Sequence, residues 1–194
     1  MFLPIKTDVP VRHTPVVNYA LIAINVLVFI VIGQLMGRSL AGQRLQEQLM
    51  LWAESPRWYQ FLTSMFMHGS WMHLIGNMVF LWVFGNALNS KMGNVTYLLF
   101  YIACGLAAGA GYVAFENMPV VGASGAIFGV TAGFVVLFPL SRITIAYFFF
   151  FIGLLELNGM FVVGAYVALN VFYLSSGMES GVAYLAHLFG ALWG

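Results

Sequence analysis

Ser124, His187 and the pair His73 and Asn77 are the residues of this sequence best suited to chemistry. A serine hydroxyl is a weak nucleophile until a base takes its proton, and a neutral histidine does this near neutral pH. The oxyanion of the resulting acyl intermediate needs hydrogen-bond donors. Helix N-terminal amides, an imidazole N–H and an asparagine amide are suitable. His73 and Asn77 are four apart, so on a helix they share one face. His68 stands just before them. Metal binding is the rival use of these histidines. In HGSWMH they are five apart and lack an adjacent glutamate, so no metal and no cofactor are expected.

Taken singly, each residue has a plainer reading. A serine in a span bonds to the backbone, a histidine packs against a carbonyl, and His73 with Asn77 glues helices together. The elements that carry them decide between the readings. Of the 194 residues, 62% are apolar and 7% are charged. That leaves too little polar surface for a soluble fold, whereas lipid demands helices or a closed barrel. The apolar runs are near 20 residues long, which selects helices. Net charge is +1, which gives no reason to expect nucleic-acid binding. The single Cys104 sits in an apolar run and cannot form an internal disulfide.

Six spans are expected, at about 17–36, 69–88, 95–115, 124–138, 159–175 and 181–194. Residues 1–16 hold Pro4, Pro10 and Pro15 with charges of both signs. They read as a cytoplasmic tail rather than a signal peptide, ahead of one membrane domain at 17–194. Residues 37–67 mix charged groups with Trp52, Trp58 and Phe61, the pattern of an amphipathic surface helix with aromatic anchors. Span 4 ends before Pro139 and is only about 22 Å long at helical rise, so its start lies below the surface. Residues 143–155 read as a partly embedded or surface segment, with two short spans across 143–175 as the alternative. Placing the N-terminus inside puts Lys6, Arg12, Lys91 and Arg142 on the inner side, a modest positive-inside bias. Ser124, His73 with Asn77, and His187 then lie at similar depth near the outer side. Gly125 with Gly129, and Gly190 with Gly194, form two GxxxG faces that would let spans 4 and 6 approach closely. Close approach would bring Ser124 within reach of His187. No carboxylate is placed to complete a triad, since Glu156 falls near the inner side.

These residues resemble those of the rhomboid family of intramembrane serine proteases. GASG at 122–125 is similar to the family's GxSG nucleophile motif, and AHLFG at 186–190 to its AHxxG motif. MHGSWMHLIGN at 67–77 is similar to its second-helix signature. The resemblance implies an all-α polytopic membrane protein, a six-transmembrane-helix bundle with a partly embedded first loop. It implies Ser124 as nucleophile and His187 as base. His73, Asn77 and the Ser124 amide would serve the oxyanion, with His68, Gly122, Gly125, Phe128 and Gly190 supporting them. It implies hydrolysis of transmembrane protein substrates near the ends of their helices, often beside small side chains. Span 5 and the loop at about 176–182 would move to admit substrate. The expected setting is the lipid bilayer of a cell membrane, as a multi-pass protein of a bacterial or archaeal inner membrane. Oligomeric state stays open. Two positions depart from relatives: Ser64 stands where some carry a further histidine, and Phe128 where some carry tyrosine. Rival functions are a non-catalytic membrane module that binds or chaperones transmembrane helices, and a transporter. No inverted repeat supports the transporter.

Overall fold

The computed structural model describes residues 2–148, 152–176 and 182–194. Most of the loop expected to move with substrate, 177–181, lies outside the described residues. Strand β1 (Phe2–Thr7) precedes helix α1 (Val16–Arg38), whose later turns widen to π geometry. Helix α2 (Leu40–Leu49), strand β2 (Leu51–Trp52) and helix α3 (Gln60–Thr63) make up the connection to α4 (Trp71–Met92). Then come α5 (Asn94–Phe115), β3 (Pro119–Val120), α6 (Ser124–Leu137), β4 (Arg142–Phe148), β5 (Ile152–Asn158), α7 (Gly159–Ser176) and α8 (Tyr184–Trp193). Helices α1, α4, α5 and α7 are long and apolar enough to cross a membrane, and α6 and α8 are shorter apolar helices. The chain is therefore a multi-spanning helical membrane bundle.

Local chemistry sets the ends of these elements. Ser39 caps α2 by accepting from Gly42 N–H, and Ser70 caps α4 by accepting from His73 N–H. Helix α6 stops just before Pro139, because the residue preceding a proline is pushed out of helical geometry. Helix α6 lies at the centre of the bundle, with Val130 and Phe134 fully buried among Phe84, Tyr97, Tyr101 and Cys104. Lipid supplies little hydrophobic drive between helices, so close packing and polar contacts must hold them.

One polar knot lies at the end of the bundle away from Ser124. Asn18 of α1 is fully buried, and its Nδ2 donates to the Leu81 carbonyl and to Asn86 Oδ1, both at 2.8 Å. Its Oδ1 accepts from the Tyr97 hydroxyl at 2.6 Å. Three helices, α1, α4 and α5, thus meet on one side chain. Asn18→Ala deletes three bonds and strands their partners. It is expected to lower unfolding free energy in detergent by about 2 kcal/mol, at roughly 0.6 per bond. Denaturation of the purified variant checks this.

The connection between α1 and α4 is folded. Gln60 Nε2 donates to the Gln48 carbonyl and Thr63 Oγ1 to that of Leu49. Strand β2 pairs antiparallel with β3, Leu51 against Val120, which ties this connection to the residues that lead into α6. The segment expected as partly embedded or surface, 143–155, takes a form not anticipated in its described residues, 143–148 and 152–155, while 149–151 lie outside them. Strands β4 and β5 pair antiparallel, and β1 joins them in the order β1-β4-β5. Residues 2–7 of the expected tail are thus an edge strand. The ladder satisfies the backbone groups of a stretch too apolar for water, and neither strand is part of a crossing helix.

Candidate active site

Ser124 is the first residue of α6, and His187 lies one turn into α8. The two helices cross at their glycines. A Cβ on Gly190 would run into the Gly125 carbonyl oxygen, and one on Gly194 into that of Gly129. With backbone against backbone, Ser124 Oγ and His187 Nε2 come to 2.8 Å. The expected approach of spans 4 and 6 is thus present in the geometry. Phe128, one turn below Ser124, lays its ring flat on the imidazole, with centroids 4.3 Å apart and planes 7° apart. Phenylalanine supplies the stacking that a tyrosine would, without the hydroxyl. The first-turn N–H groups of α6, that of Ser124 included, have no acceptor within the helix and face the same end.

Gly122 has φ +130°, a conformation that side chains with a Cβ rarely adopt. A Cβ there would also meet the His73 ring at 2.8 Å, so glycine is required on both counts. Its N–H donates to the Ser64 carbonyl at 2.9 Å. Ser64 therefore acts here through its backbone. The His73 ring packs over the approach to α6, beside Ser124.

Asn77 is engaged by a neighbouring histidine. Its Nδ2 donates to His68 Nε2 at 2.9 Å, and the His68 and His73 rings meet edge to face with centroids 5.0 Å apart. Burial, with the neighbouring His73 adding to it, pushes the His68 imidazole down to about 4, so it is neutral at pH 7 and free to accept that bond. Among the described residues no hydrogen bond joins His73 or Asn77 to Ser124. A cavity of about 30 Å³ opens beside Ser124, walled by Leu51, Met65, Gly105, Gly109 and Ala186.

One polar contact was not foreseen. His187 Nδ1 lies 2.7 Å from Oδ1 of Asn170, a buried residue of α7. Glu156, expected to lie too far toward the inner side to complete a triad, is in β5 opposite Thr144.

A family model described as "Rhomboid domain" matches residues 55–194. Over 90 residues the chain is 40% identical to Rhomboid-like protein 11, chloroplastic, of Arabidopsis thaliana, covering 44% of this chain and 31% of that protein. Over 130 residues it is 30% identical to Rhomboid protease GluP of Bacillus subtilis (strain 168), covering 64% of this chain and 25% of that protein. The matches thus span about a third of one relative and a quarter of the other.

Proposed function

This chain belongs to the rhomboid family, and from that premise we propose that it is an intramembrane serine endopeptidase acting on transmembrane protein substrates. The observation that carries the reading is the 2.8 Å contact between Ser124 Oγ and His187 Nε2, made across two helices inside an apolar bundle. A hydroxyl and an imidazole at that distance have the geometry for general-base catalysis.

His187 Nε2 takes the Ser124 proton as Oγ attacks the carbonyl carbon of the scissile peptide bond. The developing oxyanion is held by the Ser124 N–H, His73 and Asn77. Asn77 Nδ2 carries two hydrogens, and the one not given to His68 is left for the oxyanion. His187 then gives its proton to the leaving amine as the C–N bond breaks, leaving an ester on Ser124. Water, deprotonated by His187, attacks the ester and frees the serine and a new carboxyl terminus. The cavity of about 30 Å³ suits a small side chain at the residue that donates the carbonyl. Gly125 and Gly190 serve by letting α6 and α8 approach, Gly122 by its backbone conformation and the room it leaves the His73 ring, Phe128 by stacking on the base, and His68 by orienting Asn77.

In this reading all six apolar helices cross the membrane of a bacterial or archaeal cell. Residues 1–16 lie on the cytoplasmic side, 17–194 form the peptidase domain, and 37–67 is partly embedded. The site lies near the outer face, below the surface because α6 is short. The test is covalent labelling of purified protein by a fluorophosphonate. Label is expected on the wild type and on neither Ser124→Ala nor His187→Ala. Label that persists on Ser124→Ala overturns the assignment. A protein that never labels and captures transmembrane helices without producing new termini is the non-catalytic binding module instead.

A further inference from the structure

Asn170 is a lone asparagine in α7, an 18-residue apolar helix. Its Nδ2 donates to the Tyr166 carbonyl one turn earlier, at 2.7 Å. That bond fixes which way the amide faces. The flipped amide would set oxygen against the Tyr166 carbonyl, so Oδ1 must be the atom that points at α8. There it meets His187 Nδ1 at 2.7 Å. A carbonyl oxygen only accepts, so Nδ1 carries a hydrogen. A neutral imidazole has one such hydrogen, which leaves Nε2 bare. Nε2 is the atom 2.8 Å from Ser124 Oγ, and it can only accept the serine proton.

We propose that Asn170 is a positioning residue that holds His187 in the tautomer able to act as base, so that α6, α8 and α7 together form a Ser–His–Asn relay. This rests on the reading of Ser124 and His187 as the reacting pair. Without Asn170 the Nδ1-bare tautomer becomes accessible, with Nε2–H aimed at Oγ and no base present. When the serine proton moves to Nε2, Nδ1–H stays in place and the Asn170 carbonyl dipole faces the positive ring. A neutral amide does this at lower desolvation cost than a buried carboxylate. The relay also crosses between helices. Displacing α7 from α8 removes the acceptor from Nδ1, so the base is oriented only while α7 is seated. His73 and Tyr184 are the other titratable groups beside the ring.

Two measurements test this, one of them independent of catalysis. In protein labelled with 15N-histidine, and with His187→Gln to assign the resonance, His187 is expected to show protonated Nδ1 and bare Nε2. Asn170→Leu, close to isosteric, is expected to shift His187 toward the other tautomer. It should lower kcat and the fluorophosphonate-labelling rate by about 10- to 100-fold with KM little changed. Asn170→Asp keeps an acceptor, so it is expected to restore most of the rate and to move the acid limb of the kcat/KM profile to higher pH. Unchanged tautomer and rate in a folded Asn170→Leu overturn the proposal, as does failure of Asn170→Asp to rescue. A wild type with the Nδ1–H tautomer that neither labels nor cleaves sinks the protease reading while leaving the Asn170 assignment standing.

Discussion

His187→Ala is expected to lower kcat/KM on a cleaved transmembrane substrate by about 10⁴-fold, the upper end of what a positioned general base contributes. The variant keeps Ser124, the α6 N-terminus and the bundle. It loses the imidazole whose Nε2 takes the proton, now 2.8 Å from Oγ, together with the ring's contacts to Phe128 and Asn170. The loss should fall on kcat, since the imidazole is buried behind the serine and not placed to bind the substrate's length. Ser124→Ala should cost about as much. The double variant should be little worse than either single one, because nucleophile and base act as a unit. Quantitative cleavage assays on the four proteins, with melting curves to show that each is folded, check this. A His187→Ala enzyme within tenfold of wild type would remove the dyad from consideration.

Gly190→Leu is the second large effect, and it is structural. Position 190 faces the Gly125 carbonyl, a backbone group that cannot swing aside as a side chain can. A side chain there must push α8 away from α6. Overpacking of this kind costs about 1–3 kcal/mol, and it also separates Ser124 from His187. Stability and labelling should therefore fall together, with Gly190→Ala intermediate. Gly164 of α7 has nothing within 4 Å of an added Cβ, so Gly164→Ala is the matched control. There the gain in helix propensity should leave stability unchanged or slightly raised. Thermal denaturation of the three variants, beside their labelling rates, decides the matter. Equal melting of Gly190→Leu and wild type would mean that the helices do not pack through these glycines.

The membrane bundle was legible because hydrocarbon leaves the backbone few choices, and runs near 20 residues announce themselves. Ser124 and His187 were legible because polar groups at one depth on apolar helices demand a reason. Asn170 stood out by that same criterion. No motif surrounds it, however, and its partner is set by helix rotation, which apolar composition on every face of α7 does not reveal. The depth of Asn77 could be read, but its bond to His68 depends on how residues 68–70 turn back before α4. The sheet was invisible for another reason. Around 143–157 the chain is apolar on both faces, so alternation is erased, and β1, the distant partner of β4, lies before four apolar helices in sequence.

That distant pairing has a consequence for synthesis. Strand β1 is made before α1, yet its partner β4 emerges only after α6, with Thr7 set opposite Ile143. At about 5–20 residues per second, β1 waits on the order of ten seconds with its edge unsatisfied. Through that interval β1 must stay on the side of the membrane where β4 will arrive. The sheet thus closes the order of assembly as a latch does, seating only after α1, α4, α5 and α6 have been made.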